Sequence, residues 1–232
     1  MDISNKLLTL RENIISASKK AGSDPDKINI VAVTKFVCIE KIEQAINCGL
    51  KLFGENYIQE AKKKIHSLNN DVKWHFIGHL QKNKTKSAVE YFDMIESVDS
   101  FELAEMINKA AFIKNKIQSI LIQVNPENEA SKSGILPEET IKLIVKLTEM
   151  KNLLIEGLMA IHPFYDEPEK NRKNFSLMRE LKLKIDKMDI HNWTGKYLSM
   201  GMTDDYTIAI QEGSNMIRIG RFLFGDRPIS LK

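Results

Sequence analysis

A lysine closes the apolar run Ile30-Val-Ala-Val-Thr-Lys35. A run of β-branched residues with almost no polar interruption reads as a strand buried on both faces of a parallel sheet. Lys35 then stands at the carboxyl end of that strand, where α/β folds collect their ligands. An amine held there against apolar walls is poorly solvated as a cation, loses basicity and becomes a candidate for a Schiff base with a carbonyl compound. A lysine that only marks the exit of a strand into solvent would leave the same local sequence, so the rest of the chain has to decide. Ser199-Met-Gly-Met-Thr-Asp-Asp205 reads as a strand, a glycine turn and a helix start, with Thr203 and Asp204 as candidate caps. Free amides at such a turn can hold a phosphate, and Ser199 adds a hydroxyl. Met216-Ile-Arg-Ile-Gly-Arg221, followed by Phe-Leu-Phe-Gly225, repeats the form of strand then glycine. Arg218 lies between Ile217 and Ile219, so alternation points it away from both. It either carries a permanent charge into a site or faces outward over a groove between helices.

These residues need elements to position them. After an amphipathic segment from Ile3 to Ala21 and the turn cluster Gly-Ser-Asp-Pro-Asp, short apolar strands alternate with charged helical stretches. The strands are predicted at Ile30 to Lys35, Leu52 to Glu55, Lys73 to Gly78, Met94 to Val98, Ser119 to Asn125, Ile155 to His162, Tyr197 to Met200 and Met216 to Gly220. The helices between them are predicted at Ile39 to Cys48, Tyr57 to Leu68, Lys82 to Tyr91, Ser100 to Ile113, Pro137 to Met150, Pro168 to Met188 and Asp204 to Glu212. Eight strands with a helix in every gap is the count of a (β/α)8 TIM barrel, and 232 residues is near the minimum length for one. An open doubly wound sheet uses the same units with fewer strands, but no G-x-G-x-x-G turn follows the first strand here. No linker, repeat or low-complexity tract breaks the pattern, so residues 1–232 form one domain.

In a barrel the functional groups belong at the strand exits. These carry Lys35, Glu55-Asn56, Gly78-His79, Asp99, Asn125, His162, Ser199-Met200-Gly201 and Gly220-Arg221. Loops are polar everywhere, so Asp99, Asn125 and His162 taken singly carry little. The last two exits carry more, because barrel phosphate sites are frequently built after strands seven and eight. Such a cup would neighbour a lysine on strand one across the closure of the barrel.

Composition narrows the function classes. Lysine and arginine total 34 against 31 acidic residues, a near balance that gives no electrostatic reason to propose nucleic acid or an anionic membrane as partner. The Lys82 to Lys86 cluster reads as a solvated helix start. Cys38 and Cys48 lie along one predicted helix, too far apart for a disulfide, and suit a reducing cytosol. The amino terminus has no secretory pattern, and no apolar run approaches the roughly 20 residues that span a bilayer. His75 and His79 have a helical metal spacing but fall on a strand end and its loop, so no metal is expected. The ten methionines fit apolar packing.

A strand-one lysine, a phosphate cup after strands seven and eight and an arginine inside the last strand together resemble the pyridoxal 5'-phosphate homeostasis protein family, whose single domain is similar to the barrel of alanine racemase. The motifs run in order along the chain: Val31-Ala-Val-Thr-Lys35, Phe53-Gly-Glu-Asn-Tyr57, Trp74-His-Phe-Ile-Gly-His-Leu-Gln-Lys-Asn-Lys84, Ser131-Lys-Ser-Gly134, Gly157-Leu-Met-Ala160, Leu198-Ser-Met-Gly-Met-Thr-Asp-Asp205 and Ile217-Arg-Ile-Gly220, with Phe224-Gly225 behind. The resemblance implies that Lys35 forms a Schiff base with pyridoxal 5'-phosphate and that Asn56 helps hold the ring. It implies that Ser199, Met200 and Gly201, with Gly220 and Arg221, bind the phosphate largely through backbone amides. It places Arg218 at the pyridine nitrogen, where a donor that cannot accept a proton weakens the ring as an electron sink. The family often has threonine where this chain has Arg221, so a hydroxyl contact to the phosphate would give way to a charge or to backbone alone. His162-Pro163 has no functional reading.

Racemases of this fold add a β-rich domain that supplies a tyrosine acid or base, and no sequence remains after Leu231-Lys232 to build one. The expected function is therefore a cytoplasmic, monomeric pyridoxal phosphate carrier that buffers, stores or hands over the cofactor, with PLP-dependent apoenzymes as recipients. The enzymatic alternative is a weak amino-acid racemase in which Lys35 and a residue such as Tyr57 or His79 act on opposite faces.

Overall fold

The computed structural model describes residues 2–68, 71–129, 132–163 and 165–225. Ser131 of the Ser-Lys-Ser-Gly motif, and Leu231 and Lys232, lie outside these described residues. Helix α1 (Ile3–Ala21) comes first. It starts where Asp2 accepts the Asn5 amide at 2.8 Å and stops at Gly22, whose left-handed backbone closes the last turn. Strands and helices then alternate: β1 (Asn29–Val33), α2 (Ile39–Asn47), β2 (Leu52–Glu55), α3 (Ile58–Ser67), β3 (Lys73–Phe76), α4 (Thr85–Tyr91), β4 (Met94–Val98), α5 (Phe101–Ile113), β5 (Gln118–Val124), α6 (Pro137–Lys146), β6 (Leu153–Ala160), α7 (Arg172–Asp186), β7 (Trp193–Met202), α8 (Tyr206–Gln211), β8 (Met216–Ile219) and α9 (Arg221–Phe224). All eight strands are parallel and the sheet closes into a barrel, with Asn29 of β1 opposite Met216 of β8. The predicted (β/α)8 barrel with its leading helix is the observed fold.

Several boundaries differ from the expected ones for local reasons. The segments ahead of α4 and α7 are single 3-10 turns, Lys82–Lys84 and Pro168–Asn171, and the lysines of the first are exposed. The expected caps of α8, Thr203 and Asp204, do not cap it. Asp205 takes that position, its carboxylate accepts the Met202 amide at 2.7 Å, and Asp204 pairs with Arg221 instead. Cys38 and Cys48 flank α2 rather than lying along it, and both are free thiols. Helix α9, a single turn, was not expected.

Two apolar layers hold the barrel. Val31, Met94, Leu121, Met159 and Met216, from five strands, pack on one another in the lumen. The alternate strand residues, Ala32, Phe53, Ile95, Ile120 and Ile217 among them, face the helices and join Ile42, Ile107 and Phe175 in the outer core. Helix α1 buries Leu7, Leu10 and Ile14, spaced for one helical face, and packs on α8 and α9, with Asn13 donating to the Tyr206 hydroxyl at 2.9 Å. Each such burial is worth about 1.5–3 kcal/mol. Among the described residues no helix is long and apolar enough to cross a membrane.

The β5–β6 and β6–β7 ladders both shift register near Gly157. Its φ is +149°, and a Cβ there would lie 1.8 Å from the Tyr197 carbonyl oxygen. No rotamer change relieves a clash with backbone. Gly157→Ala is therefore expected to destabilise the fold by about 3 kcal/mol or more, read as a lower urea midpoint at unchanged slope; an unchanged midpoint would show that β6 and β7 can separate freely.

Candidate functional site

Lys35 leaves β1 inside a β-turn closed by the Val37 amide and the Thr34 carbonyl at 2.9 Å. Phe36, the third residue of that turn, has φ +62°, a conformation usually supplied there by glycine or asparagine. Holding a phenylalanine in it costs about 1–2 kcal/mol. The Lys35 ammonium lies 4.7 Å from the centre of the Tyr57 ring and 5.1 Å from that of Phe36, and the two rings are 5.9 Å apart. Lys35 is the one described residue that lines both of the cavities at this end of β1. The smaller, about 410 Å³, runs toward Gly220, Arg221 and Lys41, and the larger, about 840 Å³, runs past Asn56, Gly78 and His79 between α3 and α4.

Below them, four polar side chains cross the lumen. Arg218 on β8 is 4% exposed and turned inward, so the outward alternative does not occur. Its Nη1 donates to the Ser199 carbonyl at 2.9 Å and hydroxyl at 2.6 Å, and its Nη2 to the Ala160 carbonyl at 2.7 Å. The Ser199 hydroxyl in turn donates to Glu96 Oε2 on β4 at 2.7 Å, and His75 Nδ1 on β3 lies 2.7 Å from Glu96 Oε1. An ionised carboxylate only accepts, so that histidine nitrogen carries the proton. Burial favours the neutral acid at Glu96, but the hydrogen bond and charge of His75, the charge of Arg218 and the Ser199 hydroxyl outweigh it and hold the carboxyl below its ordinary range. Burial likewise pushes the Arg218 guanidinium down, against the opposing charges of Glu96 and Asp205.

The expected site residues are thus brought together unevenly. Lys35, Gly220 and Arg221 share the smaller cavity, and Lys35 and Asn56 the larger. Ser199, Met200 and Gly201 line neither. Ser199 and Met200 are wholly buried within β7, the Met200 side chain in the outer core and the Ser199 hydroxyl engaged by Glu96 and Arg218. The hydroxyl expected at the phosphate is thus committed elsewhere. Gly201, at φ +92°, turns β7 toward α8, where a Cβ would meet Ala209 at 2.5 Å. Arg221 directs its guanidinium to Asp204. Glu55 and Asn125 also turn from the mouth: Glu55 is buried under α3, and Asn125 holds the Glu129 backbone. His75 and His79, weighed as a metal pair, part company, His79 lying 3.0 Å from the Ser133 hydroxyl. Glu96 was missed in the sequence, although a carboxylate in the middle of Met94-Ile-Glu-Ser-Val98 was a visible signal.

His162, just past β6, is packed: it is 3% exposed, its ring centre is 4.3 Å from that of Phe175, and its Nε2 is buried without a hydrogen-bond partner among the described residues. Burial, with the charges of Arg218 and Lys132, pushes its pKa down to about 3.

A phosphorylated pyridine aldehyde makes three demands of a site. Lys35 offers the amine, the smaller cavity gathers cationic Lys41 and Arg221 around Gly220, and Arg218, which lines neither cavity, has three of its five N–H groups engaged among the described residues, so two remain for a ring nitrogen. The residues present fit such a group.

The model of the alanine racemase N-terminal domain matches residues 6–228. A pyridoxal phosphate homeostasis protein from Aquifex aeolicus is 39% identical over 98% of this chain and 99% of its own length. The solved structure of PipY from Synechococcus elongatus with PLP bound is 31% identical, has a TM-score of 0.81 and covers 97% of this chain and 100% of its own. An alanine racemase from Clostridium difficile shares the fold at a TM-score of 0.70 and 17% identity, over 94% of this chain and 56% of its own.

Two outcomes follow from the buried charges. Glu96→Ala strands the Arg218 charge in the lumen and is expected to cost about 3–5 kcal/mol in denaturant unfolding; a loss below 1 kcal/mol would mean that the guanidinium finds water or another partner. For His162 the unfolded imidazole takes a proton near pH 6.5 and the folded one only near 3. Between these values the unfolded state binds more protons, so stability falls as pH drops through that window. Replacing His162 by glutamine should flatten this slope, and an unaltered slope would assign it to other groups.

Proposed function

The chain belongs to the pyridoxal phosphate homeostasis protein family, and from that membership we propose that it holds pyridoxal 5'-phosphate as a Schiff base on Lys35 and stores, buffers or hands over the cofactor, with effects on amino-acid and keto-acid balance. The observation that carries this reading is the place of Lys35: one amine, walled by Phe36 and Tyr57, at the meeting of a small cationic cavity and a large open one. When bound, the cofactor supplies an electrophilic aldehyde carbon and a ring able to accept electron pairs.

The chain's own residues then have distinct tasks. Lys35 would hold the cofactor through its amine, since an amine condenses with an aldehyde by loss of water and needs no substrate to do so. Gly220 and Arg221, which line the smaller cavity, would hold the phosphate, Asn56, which lines the larger, would bear on the ring, and Ser199, Met200 and Gly201, which line neither, would contribute backbone amides alone. Arg218 would donate to the ring nitrogen, and because a guanidinium has no proton to yield it would leave that nitrogen unprotonated and the ring a weak sink for electron pairs. A strong hold with weak activation suits a carrier better than a catalyst. Recipients would be PLP-dependent apoenzymes, reached by a monomer in a reducing cytosol.

Purified protein mixed with pyridoxal phosphate should show a Schiff-base absorption band that borohydride removes while leaving one pyridoxyl group on the Lys35 peptide, and Lys35→Ala should show neither. The same samples should not racemise amino acids. A wild-type protein with no trapped adduct would end the reading, and turnover dependent on Lys35 would make the chain an enzyme.

A further inference from the structure

A second buried ion cluster lies outside the barrel wall, under α3, and serves none of the tasks above. Lys64 of α3 is 5% exposed, and its ammonium has three short acceptors: the Thr34 carbonyl at 2.6 Å, Glu55 Oε1 at 2.7 Å and Glu60 Oε1 at 2.6 Å. All three of its N–H donors are engaged. Thr34 is bound a second time, its hydroxyl donating to Glu55 Oε1 at 2.7 Å, and Glu60 Oε1 also accepts the Phe36 amide at 2.7 Å. The residue before Lys35 and the residue after it are therefore tied to the same ammonium, one directly and one through Glu60. These are the residues that fix the turn on which Lys35 rides, including the left-handed backbone of Phe36. Burying the ionic side chains of Lys64 and Glu55 is a poor route to stability alone, since well-packed apolar residues of similar volume do as well or better. An unusual backbone conformation persists when its surroundings over-determine it, and such conformations gather at functional sites.

We propose that Lys64 and Glu60 are positioning residues that clamp the Thr34–Val37 turn and thereby aim the Lys35 amine at the aldehyde carbon. The clamp touches neither the cofactor nor the Lys35 side chain; it acts through two backbone groups. This inference rests on the Schiff-base reading of Lys35. Because the chemistry is condensation of one amine with one aldehyde and loss of water, misdirection of the amine slows bond formation without weakening the hold on ring and phosphate.

Glu60 is the residue to alter, because its side chain is 23% exposed and its loss leaves Lys64 bonded to Thr34 and Glu55. Three quantities are measured for wild type, Glu60→Ala and Glu60→Gln: the rate at which the Schiff-base band appears at fixed pyridoxal phosphate, the affinity for pyridoxine 5'-phosphate, which has no aldehyde, and the melting temperature. Glu60→Ala should form the adduct about tenfold more slowly or worse while binding pyridoxine 5'-phosphate within about twofold of wild type. Glu60→Gln keeps an oxygen for the Phe36 amide and should recover the rate to within about threefold. A Glu60→Ala protein that forms the adduct at the wild-type rate would overturn the clamp, as would a fall in pyridoxine 5'-phosphate affinity that matches the fall in rate. Failure of wild type itself to form the adduct would overturn the Schiff-base reading, and the clamp with it.

Discussion

A guanidinium sealed inside a closed barrel is the constraint around which the interior is arranged. Barrel lumens are ordinarily filled by branched apolar side chains in layers, and the lower lumen here follows that rule with Val31, Leu121 and three methionines. Arg218 cannot join such a layer without an opposite charge and acceptors for its donors. Glu96 answers the charge, the Ser199 and Ala160 carbonyls answer the donors, and the Ser199 hydroxyl bridges the two ions. Glu96 then needs its second oxygen satisfied, which brings in His75. One ion thereby dictates residue types on β3, β4 and β7. The same arrangement removes the Ser199 hydroxyl from the mouth, so the charge that would meet the ring also limits what can meet the phosphate.

Lys35 meets a different constraint. Its ammonium needs no burial, because it sits at the mouth between two aromatic rings, and the demand falls on the backbone around it. Lumen and outer layer thus divide the labour: the lumen network holds Arg218 through its side chain, and the cluster under α3 holds Lys35 through its neighbours' main chain. Both hold a buried cation by short hydrogen bonds, which engage all three donors of Lys64 and three of the five of Arg218, one cluster inside the barrel wall and the other outside it.

The eight strands were legible because each is a short apolar run bounded by turn residues, and in a parallel barrel both faces of a strand are buried. Lys35 was placed by the end of its apolar run, and alternation set Arg218 on the face opposite Ile217 and Ile219 without telling which face looks into the lumen. Periodicity gives parity but not neighbours: Glu96 and Ser199 are 103 residues apart and meet only because β4 and β7 face one another across the lumen. The cap of α8 was misplaced by one or two residues because Thr203, Asp204 and Asp205 are all competent caps, and the competition of Arg221 for Asp204 is tertiary. Lys64 and Glu60 were invisible for a related reason. On a charged amphipathic helix they look like an exposed pair four residues apart, and only the packing of α3 on the exits of β1 and β2 buries the lysine.

The closure of β1 on β8 has a kinetic meaning. Lys35 and Gly220 share a cavity only after strands whose paired residues are nearly 190 positions apart have met, as Asn29 meets Met216. Contacts of such long sequence separation form late, because loop entropy must be lost before they repay it. A nascent or half-folded chain therefore carries the lysine without the chamber that would use it. Ligand that fits only the closed barrel draws the folding equilibrium toward that state by mass action, so occupancy of the site and completeness of the fold rise and fall together.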